Sequence, residues 1–281
     1  MHRAIYAGLD RTEHALAATL FVVGGGGVET PRLLLLSAGP TFSDGLANRS
    51  GLVARGFMEH PSCATRARVA GQSYAERISF YTATCNQFWN TANRGTRAAF
   101  SVQIPPGWGE APMHLVEQSG LWGDELSGYI QREFGHSIML ESPIEMLPDE
   151  RNQIDLDPDL KDYFGSPAPR IRLGIGSYEL GGMREAQQVH ARLLAAHGAT
   201  DVVHEPEVLS QSHHGGTCRM GDDPRTSVVD RNLRCHDVPN LYLIGSSVFV
   251  TMGLANPTLT IVALALRLAD HLIAHTGEAV S

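Results

Sequence analysis

Ten residues, Ser212-His213-His214-Gly215-Gly216-Thr217-Cys218-Arg219-Met220-Gly221, gather the side-chain types that proton chemistry needs. Histidine takes up and releases a proton near neutral pH more readily than any other side chain. The paired glycines that follow allow a backbone or ligand to approach closely. The segment reads as a base, His213, on a constrained loop, with His214 packing beside it or supporting it. A metal site is the competing reading, because His213, His214 and Cys218 carry nitrogen and sulfur. Adjacent residues rarely ligate one ion and no HExxH spacing occurs, so no metal is expected.

A second group, Gly253-Leu254-Ala255-Asn256-Pro257-Thr258-Leu259-Thr260, looks like a loop entering a helix at Pro257. Proline suits the first helical position, and the free N–H groups from Thr258 onward make that end positive. Such an end stabilises negative charge. Asn256 reads either as a donor to a substrate oxygen or as a simple helix cap.

These groups need elements to hold them. Leu20 to Val23 reads as a short buried strand, Gly24 to Gly27 as a tight turn, and Thr30-Pro31 as the cap and first residue of a helix carrying Leu33 to Leu36. Leu241 to Gly245 reads as a second strand that stops at a glycine and leads to the Pro257 helix, with apolar Leu259, Val262, Leu266 and Ala269 at helical spacing. Both are strand-to-helix turns of the kind that aims backbone N–H groups at a ligand. Between them, short strand-like runs recur at Ser79–Thr82, Ala98–Ile104, Ser137–Leu140 and Arg170–Leu173, followed by an amphipathic helix from about Gly182 to Ala196 that ends at Gly198. Strands followed by a helix imply a largely antiparallel layer covered on one face.

Composition narrows the function. A formal net charge of -8 without a Lys/Arg block argues against nucleic acid as partner. The longest apolar run, Leu259 to Ala274, is interrupted by Arg267, Asp270 and His271, so no membrane span is expected. Four cysteines without a CxxC pair suggest free thiols in a reducing, cytoplasmic compartment.

The motifs together resemble the glucose-methanol-choline (GMC) oxidoreductases. The resemblance runs, in order, through Gly26-Gly27-Val28-Glu29-Thr30-Pro31-Arg32, Phe57-Met58-Glu59-His60-Pro61, Asn152-Gln153-Ile154-Asp155-Leu156 and Asp162-x-x-Gly165-x-Pro167. It continues with His213-x-x-Gly216-Thr217-Cys218-Arg219-Met220-Gly221, Ser227-Val228-Val229-Asp230, Val238-Pro239-Asn240-Leu241-Tyr242 and Asn256-Pro257-Thr258. It implies an α/β (α+β) fold: a partial FAD-binding, Rossmann-like domain over 1–60, an inserted, mostly antiparallel substrate-binding domain over 61–206, and a catalytic loop returning to the FAD-binding domain over 207–281. It implies FAD-dependent oxidation of a CH–OH group of a sugar, polyol or other small alcohol, by proton abstraction and hydride transfer to flavin N5. In that scheme His213 is the base and Asn256 the second active-site residue. Gly26, Gly27, Gly245, Ser246, Pro257 and Thr258 lie against FAD. One departure stands out. No GxGxxG turn is completed by Gly24, Gly25 or Gly174, so the sequence enters the family pattern about halfway along. The expectation is a chain that needs a separate amino-terminal FAD-binding segment, or else an inactive remnant.

Overall fold

The computed structural model describes residues 1–71, 83–105 and 112–276. In chain order the elements are β1 (Arg3–Ala7), β2 (Glu13–Ala17), β3 (Phe21–Val23), α1 (Gly26–Leu36), β4 (Pro61–Arg68), β5 (Ala83–Cys85), β6 (Val102–Ile104), α2 (Pro112–Ser119), α3 (Gly123–Glu133), β7 (Ser137–Pro143), β8 (Gln153–Lys161), β9 (Pro167–Arg172), α4 (Ser177–Ala196), β10 (Thr200–His204), β11 (Leu209–Ser210), β12 (Leu241–Leu243) and α5 (Thr258–Thr276). The mixed fold class expected from sequence is found. The strand expected at Ser79–Thr82 lies outside the described residues. Of the run Ala98–Ile104 only Val102–Ile104 is a strand, while the paired segment at Ser137 runs on to Pro143.

The chain divides into two compact units. The first is 1–59, 147–174 and 212–281; the second is 60–146 and 175–211. The division departs from a continuous middle domain over 61–206, because the β8–β9 hairpin joins the first unit. The cause is visible in its side chains. Ile154 enters the first unit's core with Leu34 and Phe57. Arg32 on α1 donates from Nε to the Pro167 carbonyl at 2.9 Å and from Nη2 to Asp162 at 2.6 Å.

In the first unit β3 and β12 pair in parallel, Phe21 opposite Leu241 and Val23 opposite Leu243. The ladder continues as Ile244 N–H donates to Val23 O at 2.8 Å. Both strands lead through glycine into helical backbone, β3 into α1 and β12 into a 3₁₀ turn over Ser246–Val248. Parallel pairing therefore puts the two turns at one edge, the carboxyl ends of the strands. α1 begins at Gly26 with Gly25 as its cap, not at Thr30-Pro31. Thr30 and Pro31 are buried inside it.

α5 begins at Thr258, one residue beyond the expected start. Its packed side is Leu268 with Ile261, Leu264 and Leu272. The stripe expected from spacing is the other side: Leu259, Val262 and Leu266 are exposed. α5 is apolar nearly all round, so periodicity alone could not choose the buried face. It is also continuous, since Arg267 and Asp270 sit in the helix without breaking it. By length and composition Thr258–His275 is long and apolar enough to cross a membrane, which corrects the expectation that no run would be.

The second unit is a six-stranded antiparallel sheet in the order β10-β4-β7-β6-β5, with β11 also on β4. The period-two alternation of β4 and β7 sorts their side chains. Cys63 and Ala67 of β4 and Ile138 and Leu140 of β7 pack with Met183, Ala186, Val189 and Leu194 of α4. α4 approaches closely because Gly182 has no side chain: a Cβ there would lie 2.9 Å from Ala98. The helix ends as expected, with Gly198 at φ +74°. His190 on α4 is fully buried in this layer. Its Nδ1 lies 2.8 Å from Thr65 Oγ1 and its Nε2 2.8 Å from Ser142 Oγ. Burial, with a smaller push from His204, lowers its pKa to about 4.

Candidate active site

The His213 loop lies within the first unit as an extended strip between two others. On one side Met58 and Gly215 exchange N–H···O bonds at 2.9 and 3.0 Å, and Ala54 N–H donates to Thr217 O at 2.7 Å. On the other, Gly216, Cys218 and Met220 donate in turn to the carbonyls of Ser246, Ser247 and Val248 at 3.0, 2.7 and 2.9 Å. With both edges paired, the loop is held as rigidly as a central strand. Ser212 enters it with φ +57°, a left-handed conformation that non-glycine residues rarely adopt. That turn sets the direction in which His213 leaves the backbone.

Glu59 holds the histidines. Its side chain is 3 % exposed. Oε1 accepts the backbone N–H of His213 at 3.1 Å, and Oε2 lies 2.9 Å from Nε2 of His214. The Phe57 ring tilts against the His214 ring at 5.4 Å between centroids. The His213 ring is half-buried. Burial pushes its pKa below the ordinary histidine value and His214 adds to this, while the Glu59 carboxylate pulls the other way. The net shift favours the neutral ring, the form that can accept a proton. Glu59 stands inside a motif quoted from the sequence, but nothing in local spacing marks it as the partner of a loop 154 residues away. An acid inside the buried run Phe57 to Ala64 was the available signal, since acids are rarely buried without a partner.

The glycine turn after β3 meets this loop. At Gly27 an added Cβ would lie 2.5 Å from the His214 carbonyl carbon and oxygen and 2.8 Å from Gly215 N. Only glycine lets α1 come this near. Pro31 explains a second contact. In a regular helix the N–H of residue 31 would donate to the carbonyl of residue 27. Proline has no N–H, and the fully buried Thr217 hydroxyl donates to Gly27 O instead, at 2.8 Å.

The structure thus brings Gly26, Gly27, Gly245 and Ser246 together with the His213 loop. Gly245, with φ +98°, stands against Gly26, its would-be Cβ 3.6 Å from Gly26 Cα. Pro257 is buried beside the start of α5, and Thr258 is that helix's exposed first residue. Asn256 is exposed and makes no hydrogen bond among the described residues. Two glycine turns at the ends of parallel strands, with a helix start at one of them, suit the phosphates of a dinucleotide cofactor. Two hydroxyls without a hydrogen-bond partner among the described residues flank them: Thr30 Oγ1 and Ser247 Oγ are buried. Cys218 is a poor metal ligand, since burial pushes its thiol up to about 12. On α5, His271 and His275 stand a turn apart with rings 4.1 Å from each other, but no third ligand joins them among the described residues.

Residues 148–265 match the family described as GMC oxidoreductase. The chain is 33% identical over 265 residues to the fructose dehydrogenase large subunit of Gluconobacter japonicus, covering 94% of this chain and 49% of that one. It is 35% identical over 277 residues to 2-methyl-1,2-propanediol dehydrogenase of Mycolicibacterium austroafricanum, covering 92% and 48%. Among solved structures, pyridoxine 4-oxidase from Mesorbium loti superposes with a TM-score of 0.71 at 18% identity, over 98% of this chain and 55% of that one. The chain spans about half the length of the curated relatives it matches.

Proposed function

We propose that this chain, whose residues 148–265 match the GMC oxidoreductase family, carries the substrate-side chemistry of an FAD-dependent enzyme oxidising a CH–OH group of a sugar, polyol or other alcohol. The observation that carries the reading is the half-buried His213, whose backbone is fixed by a buried carboxylate beside two glycine turns. His213 takes the proton of the substrate hydroxyl. Removing it raises electron density at the carbinol carbon and weakens its C–H bond; a positioned base of this kind contributes roughly 10²–10⁴-fold. Glu59 and His214 keep the loop from turning. Gly26, Gly27, Gly245 and Ser246 would hold the cofactor, and the α5 start at Pro257-Thr258 would offer it positive potential. FAD, when bound, accepts the hydrogen and electrons that leave carbon. Asn256 donates to the substrate oxygen.

A further segment supplies the rest of the flavin fold. Two observations support this: β3 has an edge without a strand partner among the described residues, and the relatives are about twice as long. Parallel sheets are ordinarily larger and covered on both faces. The relatives' names, a fructose dehydrogenase and a propanediol dehydrogenase, support a hydroxylated substrate. In the complete protein, His213→Ala lowers the rate of flavin reduction by about 10²-fold or more. An unchanged rate removes His213 from the base role. Stoichiometric flavin absorbance on the chain expressed alone would refute the need for a further segment.

A further inference from the structure

Within the apolar layer of the second unit, three fully buried polar side chains are bonded in a line: Ser142 of β7, His190 of α4 and Thr65 of β4. A fourth, His204, joins them from β10, the exposed strand at one end of the sheet order. Ser142 Oγ lies 2.8 Å from His190 Nε2. His190 Nδ1 lies 2.8 Å from Thr65 Oγ1, and the same hydroxyl lies 2.8 Å from His204 Nδ1. The line crosses three neighbouring strands and the helix that covers them.

A hydroxyl carries one proton, and this limits how the line can be wired. Thr65 cannot donate to both histidines, so it donates to one and accepts from the other. Two arrangements keep all three bonds. In the first, Ser142 donates to His190 Nε2, His190 Nδ1–H donates to Thr65, and Thr65 donates to His204 Nδ1. Every buried donor then has an acceptor. In the second, each bond is reversed: His204 Nδ1–H donates to Thr65, Thr65 to His190 Nδ1, and His190 Nε2–H to Ser142 Oγ. The Ser142 proton is then left without an acceptor among the described residues, a penalty for a fully buried donor. With His204 neutral the first arrangement is favoured, by about fivefold or more. A protonated His204 carries hydrogen on both ring nitrogens and accepts at neither, so it permits only the second.

We propose that Ser142, His190, Thr65 and His204 form a tautomer relay, in which protonation of His204 on the exposed strand moves the proton of buried His190 from Nδ1 to Nε2 and releases the Ser142 hydroxyl. The line gains one proton, on His204. His190 loses the proton at Nδ1, regains one at Nε2 and stays neutral. The result is a pH-sensitive device inside the layer that seats α4. Other ionisable groups stand outside the line. Arg66 and Arg68 of β4 alternate to the other face of the sheet and pair with Glu205 and Glu133. Glu141 of β7 alternates away likewise, and Asp201 is the remaining charge on β10. Cys63, across the ladder from Ser142, stays protonated because burial pushes its thiol up to about 12. Apart from Glu179, which accepts from Gly176 N–H at 2.9 Å, α4 buries no ionisable group but His190.

Nuclear magnetic resonance of the full-length protein carrying ¹⁵N-labelled histidine tests this, because it reads which ring nitrogen bears the proton. Between about pH 8 and 5, where histidine titrates, His190 should pass from the Nδ1–H to the Nε2–H form with the same midpoint as His204. His204→Phe, a change on the exposed strand, should hold His190 in one form across that range. Thr65→Val should leave His204 titrating and His190 unresponsive. A His190 tautomer that stays constant while His204 titrates overturns the relay. So does a switch that persists in His204→Phe or in Thr65→Val, a His190 ring that becomes doubly protonated over the range, or a His204 that takes up no proton while the protein remains folded.

Discussion

The hydrogen bond from Thr217 to Gly27 permits a sharp test, because the structure states why it exists. Pro31 removes the helical donor to Gly27 O, and the Thr217 hydroxyl replaces it inside the core. Thr217→Val keeps the side-chain shape and leaves a buried carbonyl without a partner. That costs about 1–3 kcal/mol. Pro31→Ala returns an N–H to the position from which α1 would serve the same carbonyl. In that background Thr217→Val should cost far less, so the two substitutions couple by ~1 kcal/mol or more. Pro31→Ala alone also loses the packing of a buried ring, and the cycle subtracts this. The assay is urea denaturation of the four proteins, compared only where their m-values agree. Additive effects within about 0.3–0.5 kcal/mol would refute the reasoning, because they would mean that Thr217 and the missing N–H do not serve one acceptor.

Other outcomes follow from the same geometry. Gly27→Ala places a Cβ 2.5 Å from the His214 carbonyl and must displace the histidine loop; flavin retention and alcohol oxidation should fall together, and a fully active, flavin-replete variant would contradict the close approach. Glu59→Gln keeps an acceptor for the His213 N–H but removes the charge that raises the His213 pKa, so the acid limb of the kcat/KM profile should move to lower pH; an unmoved or raised limb would separate Glu59 from the base. His190 is held near 4 when folded against 6.5 as its ordinary value, so the unfolded chain binds its proton more readily between those limits. The stability it protects is complete above about pH 6.5 and is lost as pH falls towards 4, by at most ~3 kcal/mol, and His190→Gln should flatten that part of the curve in urea midpoints.

Much of this was legible because glycine, proline and histidine act locally. The two strand-to-helix turns, the end of α4 at Gly198 and the His213 loop were all expected from residue type and spacing. What escaped was settled at long range. The start of α1 was placed at Thr30-Pro31, where proline usually begins a helix, because no local signal tells that a threonine 186 positions on can stand in for its missing N–H. The buried side of α5 depends on what packs against it. Glu59 as a holder of the loop, and the β8–β9 hairpin as a partner of α1, both rest on contacts across more than a hundred residues. Asn256, singled out by its place before a helix and by the family resemblance, makes no hydrogen bond among the described residues.

The contact between Glu59 and the His213 backbone has a topological consequence. Glu59 is the last residue of the first unit before the chain leaves it, and Ser212 is the first on its final return. One hydrogen bond and one imidazole–carboxylate pair thus close a loop spanning 154 positions. The only return visit inside that loop, 147–174, is tied back separately through Arg32. The second unit is therefore a cassette whose entry and exit are pinned by residues that do not belong to it. A scaffold built this way can vary the second unit while the Glu59 contact keeps the His213 backbone in register.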